Sequence, residues 1–501
     1  MDHARTARSK RFETGALLLA VLILFAVTCL IAQTRVFWYD EIFTRQIAKL
    51  GSWKRIVAAL HDGIDLQPPI FFFLTAQTRY IGGEEVGLRL PGILGFTFAG
   101  FSLYVIARRW FSPGYAVGVA LTPWILFFDD LVMEARPYGL VIGSAALALL
   151  GWTYRDRWPR AGRIGYLAGM LGAGAAHYYG FMIAAPFGVA AAWTLWRKRR
   201  WDLWTILGCI CAAVPNLWNL PLIHEAIAIY KDGAWNRPSW FVLADSLYGG
   251  SLAVLAAMFL VYLLLRRGGK EESLPDGEFL ACWVGFSAIP IIAMFMAMTI
   301  SGMFVVRYFS MYSLGYGLLL AYLLARSAKG SRRVGFRAGC AALLAFACVV
   351  AFSVRFFQAE RDNVLLQCAD LTGLLEPPEF RASHLLIGDA HLALQLSQYC
   401  DDIRNRIVFG ADPARALVYH GNSTDQKGML RLRENSPVTV EPLDEFLRGE
   451  RHELVVFDSR SSILKAYLSN SPEYAGRLHL VKEDETYAIL RLDPAVAADA
   501  P

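Results

Sequence analysis

GALLLAVLILFAVTCLIAQTRVFWYDEIF, residues 15–43, decides the fold. Its first part, 15 to 33, is an uncharged apolar run, long enough for a helix crossing roughly 30 Å of hydrocarbon. Its second part sets Asp40 beside Glu41 where such a helix would return to water. No A-x-A-like cleavage site follows the run, so it is expected to stay as an anchor.

The rest of the chain has the same character. With 55% hydrophobic, 13% aromatic and 18% charged residues over 501 positions, the composition excludes an ordinary soluble protein. Apolar blocks alternate with short charged stretches, and no alternating ten-residue strands of a membrane barrel occur. Eleven helical spans are expected, at 15–33, 91–107, 115–131, 138–153, 164–176, 181–196, 203–220, 246–265, 279–300, 308–325 and 338–354.

Basic residues orient these spans. With residues 1–14 in the cytoplasm, the short loops on that side carry 22 Lys or Arg, against four on the other side, namely Arg136, Lys231, Arg237 and Arg307. That asymmetry is a positive-inside pattern. It absorbs the net charge of +6 at the inner membrane face, so no nucleic-acid partner is implied. The expected organisation is a cytoplasmic N-terminus (1–14), a polytopic α-helical membrane domain (15–354) and a periplasmic α/β domain (355–501).

Two larger pieces then face outward. In the first outer loop (34–90), RQIAKLGSWKRIVAALHDG (45–63) spaces apolar and basic residues as an amphipathic helix lying on the membrane surface. Pro68 and Pro69 should start a second, apolar helix, and Gly82 and Gly83 should end it. In the tail, LLIGD (385–389), RIVFG (406–410), ELVVFD (453–458) and YAILRL (487–492) read as strands, with helices at 361–375 and 461–470. Six cysteines fall in or at the edges of spans, where a thiol is a small packing residue. Cys368 and Cys400 lie in the tail and could form a disulfide in an oxidising compartment. No CxxC spacing or His-rich tract suggests a metal.

The acids gather on the outer side. Asp40 and Glu41 end the first span, and Asp129, Asp130 and Glu134 end the third. Such carboxylates can simply be solvated helix ends. Two acidic groups at one interface also make functional candidates.

FWYDE, then D-x-x-PP with aromatics, GLRLPGILG, EARPYGL, AHYYG and VRYF follow one another in an order that resembles the GT-C superfamily of membrane glycosyltransferases. The nearest branch is the bacterial one related to aminoarabinose transferases, protein O-mannosyltransferases and the galacturonic acid transferases of lipopolysaccharide. The resemblance covers about residues 15–325 and is strongest over 36–140. Many relatives have His or Lys before the double proline, where this chain has Gln67, so a metal or phosphate role at that position is in doubt.

The resemblance implies a GT-C fold in the bacterial inner membrane and transfer of a hexose or pentose from a polyprenyl-phosphate donor. The acceptor would be a lipid, glycan or protein on the outer face, without a nucleotide sugar. Asp40 would be the general base and Glu41 would orient it or the sugar. Asp129, Asp130 and Glu134 would bind hydroxyls. Arg136, Arg307 and Arg89 would meet the carrier phosphate, although an arginine at a helix end also snorkels. His177 and Tyr178 match the family's His-aromatic pair, and His177 reads equally as an interfacial histidine. No cofactor is required by the pattern; a divalent cation, if used, would fall to Asp40, Glu134 or His177. His224, Glu225 and Tyr230 could border an acceptor site. Asp389, His391 and Asp458 at strand ends are most simply structural, leaving the tail to acceptor recognition or lidding.

Two other classes fit less well. A transporter or flippase of a lipid-linked sugar should show broken polar helices meeting at mid-membrane in repeated halves, and no internal repeat is present. A scaffold would have no reason to gather acids and arginines at a lipid-facing loop.

Overall fold

The computed structural model describes residues 2–230, 238–243, 275–301, 303–327, 331–450, 452–459, 462–483 and 487–494. It divides into two compact units. The first comprises Met1–Thr34, Gln67–Pro221 and Asn236–Phe356; the second comprises Arg35–Leu66, Leu222–Trp235 and Phe357–Pro501. The segment 35–66 thus belongs with the tail.

The first unit is helical. Among the described residues, four helices are long and apolar enough to cross a membrane: Phe12–Ala32, Glu84–Ala107, Tyr178–Lys198 and Arg332–Leu375. Two bent pairs bring the number to six, Leu203–Trp218 with Leu220–Tyr230 (59°) and Gly277–Ser287 with Ile289–Thr299 (49°). Pro69–Thr78, Pro113–Phe127 and Tyr138–Thr153 are shorter apolar helices. The expected span at 246–265 lies outside the described residues. Pro215 and Pro290 stand near the two bends, as expected where proline removes a ladder hydrogen bond.

Glycines set one close helix crossing. A methyl group on Gly95 would lie 2.0 Å from the Gly139 carbonyl oxygen, and one on Gly139 would lie 2.3 Å from that of Gly92. The helices Glu84–Ala107 and Tyr138–Thr153 therefore meet backbone to backbone. GLRLPGILG and EARPYGL thereby hold the intervening turn, residues 128–137, in a fixed place.

The second unit is built on a six-stranded sheet of order β3-β2-β1-β4-β6-β5. The strands are β1 (Leu385–Ile387), β2 (Ile407–Ala411), β3 (Thr439–Pro442), β4 (Leu454–Ser459), β5 (Leu478–Glu483) and β6 (Tyr487–Leu492). β1 to β4 are parallel, while β6 and β5 join antiparallel. Leu386, Val408, Leu454, Val456 and Leu490 pack with Leu443, Leu464 and Leu468 into one core. The chain steps outward from β1 to β3 and returns to β4 on the other flank of β1, so the strand order reverses between β1 and β4.

Three expectations need correction. The stretch 45–63 is not one helix: Tyr39–Lys49 and Trp53–His61 are separated at Gly51, whose φ is 72°, and Ser52 caps the second through its hydroxyl to the Arg55 N–H. Its apolar positions Ile47, Ile56, Ala59 and Leu60 are buried inside the protein rather than facing lipid. The helix opened by Pro69 ends at Thr78, and Gly82 and Gly83 instead form the turn into Glu84–Ala107. The last expected span and the helix at 361–375 are parts of one continuous helix, Arg332–Leu375.

Candidate functional site

In the first unit, three motifs, EARPYGL, AHYYG and VRYF, converge on one polar cluster. Glu134 is fully buried, 4.0 Å from a guanidinium nitrogen of Arg307. Arg307 also lies over the ring of Tyr138, 5.8 Å from its centre. Arg136 is 5% exposed. Tyr308 packs on Tyr138 at 6.0 Å, on His177 at 4.8 Å and on Tyr179 at 5.7 Å.

His177 is defined by its own turn. Nδ1 accepts a hydrogen bond from the Tyr179 N–H at 3.0 Å. A ring nitrogen that accepts carries no proton, so the neutral ring bears its proton on Nε2. Burial first, then the charges of Arg136 and Arg307, push the His177 pKa down to about 3, which keeps the ring neutral. Its Nε2 is buried and has no hydrogen-bond partner among the described residues, as is also true of the Tyr138 hydroxyl. The cluster brings two guanidiniums and one carboxylate together with two neutral donors beside them. Such a set suits an oxyanion.

The other first-unit candidates are placed differently. Asp129 and Asp130 are exposed in a turn, so they do not share the burial of Glu134. The buried guanidinium of Arg89 donates to the Ala32 carbonyl at 2.6 Å, tying the first two membrane helices together. Tyr178 lends its carbonyl to Asn216 at 2.7 Å. Gln67 is buried. No group of three His, Cys, Asp or Glu that could hold a metal ion occurs among the described residues.

In the second unit, the acidic pair opens the helix Tyr39–Lys49. Glu41 is fully buried and accepts from the Trp38 N–H at 3.5 Å, closing the first turn. Asp40 is partly exposed in that turn, where the helix N-terminus favours a carboxylate. Tyr39 is buried, and its hydroxyl donates to the Asp425 carbonyl at 3.4 Å. A methyl group on Gly428 would come within 2.9 Å of that hydroxyl, so glycine makes room for the ring. His391 stacks on Tyr39 at 4.4 Å. His61 pairs with Glu225 at 2.6 Å, and Tyr230 donates to the Gly63 carbonyl at 2.9 Å, so the 222–230 segment is fastened to residues 61–63. Cys368 and Cys400 are joined by a disulfide with a Cα–Cα distance of 5.2 Å.

Sequence reasoning missed Tyr138, Tyr179 and Tyr308, and it read His391 as structural. A signal for the tyrosines was present: RPY, HYY and RY each set a tyrosine within two positions of a basic residue. Nothing in the local sequence ties His391 to residue 39.

The fold is shared with ArnT, in accord with the resemblance to aminoarabinose transferases read from the sequence. The chain is similar to ArnT from Cupriavidus metallidurans in the apo state, with a TM-score of 0.58 at 15% identity over 96% of this chain and 98% of that one. It is similar to the same protein bound to undecaprenyl phosphate, with a TM-score of 0.56 at 16% identity over 97% and 99%. In sequence it is 25% identical over 257 residues to an undecaprenyl phosphate-α-4-amino-4-deoxy-L-arabinose arabinosyl transferase of Pseudomonas paraeruginosa, a match covering 44% of this chain and 43% of that protein. The match thus spans less than half the length of that curated relative. No protein-family model matches the chain.

Proposed function

We propose that this protein is a glycosyltransferase that moves a sugar from a polyprenyl-phosphate carrier to a hydroxyl of a lipid, glycan or protein acceptor at the outer face of the bacterial inner membrane. The observation that carries this reading is the buried cluster of Arg136, Arg307, His177 Nε2–H and Tyr138, an oxyanion cradle within a fold shared with ArnT. A carrier phosphate is the anion that an enzyme with lipid-linked donors must hold.

The chemistry divides among named groups. Asp40 takes the proton of the acceptor hydroxyl as its oxygen bonds to the anomeric carbon. The bond from that carbon to the phosphate oxygen breaks, and the polyprenyl phosphate leaves with the electron pair. Arg136, Arg307 and His177 Nε2–H meet the charge that grows on that phosphate. Glu41 fixes the turn that carries Asp40. Asp129 and Asp130, being exposed, are assigned to acceptor or sugar hydroxyls, while Glu134 holds Arg307. Eleven spans, a cytoplasmic N-terminus and a periplasmic tail complete the reading; the disulfide supports the last, since such bonds persist in oxidising compartments.

Asp40→Asn tests it. In proteoliposomes with polyprenyl-phosphate sugars, release of polyprenyl phosphate should fall about 100-fold or more, the range for loss of a general base. Wild-type rates in the variant would remove Asp40 from the chemistry.

A further inference from the structure

The helices Tyr138–Thr153 and Pro159–Ala176 reach the His177 cluster at one end and a second cavity at the other. This cavity, of about 750 Å³, is walled by Arg108, Arg109 and Arg157. The 18 residues of Pro159–Ala176 cover about 27 Å, close to the hydrocarbon thickness of a bilayer. Along that helix the two sites therefore stand one membrane thickness apart. Glu13, Arg108 and Arg157, all on the wall, come from the three pieces 1–14, 108–114 and 154–163 that the basic residues of the sequence assign to one face.

The charges on the wall are only partly answered by the protein. Arg108 is paired: its Nε donates to Glu13 at 2.6 Å and one Nη donates to the Phe111 carbonyl at 2.7 Å, while the Tyr104 hydroxyl donates to the same carboxylate at 3.0 Å. Arg109 and Arg157 have no ion-pair partner among the described residues. Arg109 donates to the Thr153 carbonyl and lies near the rings of Trp110, Tyr154 and Phe279, at 5.0, 5.7 and 5.0 Å. Arg157 lies over Trp158 at 5.7 Å, Trp158 stacks on Tyr154 at 4.8 Å, and Tyr154 donates to the Val105 carbonyl at 3.0 Å. Ring contacts hold a guanidinium in place without neutralising it. Asp156, on the same wall, is one carboxylate beside these two cations. A snorkelling arginine extends into water, whereas these line a concavity.

The cavity also has an apolar side. Leu17 and Val105 line it, and the first membrane helix rises from it with Leu18, Leu19 and Leu22 exposed. A phosphate that carries acyl chains matches both sides at once. A free phosphate would meet the guanidiniums and leave the apolar side uncovered.

We propose that this cavity holds the headgroup of an anionic phospholipid of the inner leaflet, with Arg109 and Arg157 on its phosphate. Basic pockets between helices at the cytoplasmic side are suited to such headgroups. The bound lipid bridges the base of the first helix to the turn after Thr153. The site is separate from the proposed sugar transfer and does not depend on it.

Full-length protein, freed of lipid in detergent, is titrated with dioleoylphosphatidylglycerol or dioleoylphosphatidylcholine, and bound lipid is counted by native mass spectrometry. Inorganic phosphate enters as a competitor. Phosphatidylglycerol should bind at lower concentration than phosphatidylcholine. Its Kd should rise about 5-fold in Arg157→Gln and about 30-fold when Arg109→Gln is added, the range for one and two cations at an anionic lipid. Arg197→Gln with Arg200→Gln, which removes two cations from another loop assigned to the same face, should leave the Kd unchanged. Equal weakening in both double variants would reduce the effect to bulk attraction and overturn the site. Equal binding of the two lipids would overturn the anionic headgroup, and displacement by equimolar phosphate would make the ligand a free anion. Arg157 is exposed, so its single variant decides the matter if the pair fails to fold: an unchanged Kd there overturns the proposal.

Discussion

His177 carries two roles on one ring, and they can be separated. Nδ1 shapes the turn by accepting from Tyr179, and Nε2–H is the donor offered to a ligand. His177→Asn keeps an acceptor for the Tyr179 N–H and deletes the Nε2–H donor. We expect polyprenyl phosphate release to fall about 10- to 100-fold, the cost of one donor to a charged oxygen, measured as kcat/KM in proteoliposomes. The wild-type rate should show no inflection from this ring between pH 5 and 8, because it is held neutral down to about pH 3. The stability consequence has a definite sign. The unfolded chain takes up the proton near pH 6.5 and the folded protein does not, so stability contributed by the neutral ring is full above 6.5 and is lost as pH falls below it. Stability of the wild type should weaken with acid over that window, and the Asn variant, which has no ring to protonate, should weaken less.

Helices owe their places to residues with almost no side chain. Gly139→Leu would drive a side chain into the Gly92 backbone, where even a methyl carbon would stand 2.3 Å from the carbonyl oxygen. Overpacking of this kind costs about 1–3 kcal/mol, and more where backbone must move. The variant should unfold at lower temperature in detergent and lose transfer, since the turn bearing Glu134 and Arg136 shifts with the crossing. How much was legible followed from what was local. The strands β1, β2, β4 and β6 are apolar runs and read directly from sequence. β5 was passed over because it is largely exposed, and β3 because it is four residues ending in proline. The apolar face of 45–63 was legible, but its covering was not: one periodicity serves equally for lipid and for protein, and the helix Ala390–Tyr399 that packs on Tyr39–Lys49 comes from more than 300 positions along the chain. For the same reason the acids and arginines could be picked out as candidates, whereas the ring stack around His177 and the stack of His391 on Tyr39 could not.

The second unit is assembled from three distant stretches, and its sheet alone does not account for its integrity. The disulfide between Cys368 and Cys400 ties the end of the helix Arg332–Leu375 to the end of the helix that bears His391, closing a separation of 32 residues. In the chain-entropy account a loop of that size contributes about 3–4 kcal/mol by restricting the unfolded chain. Cys368→Ser combined with Cys400→Ser should therefore lower the unfolding temperature of the purified protein by several degrees. The same double variant should weaken the hold of Ala390–Tyr399 on the acidic motif before it disturbs the membrane helices. Limited proteolysis reads this directly: cleavage within 375–400 should accelerate, while fragments from 84–218 keep the wild-type pattern. Equal loss of protection in both regions would mean that the bond supports the whole chain and not the tail alone. An unchanged unfolding temperature would show that the three stretches are held by their buried apolar contacts without it.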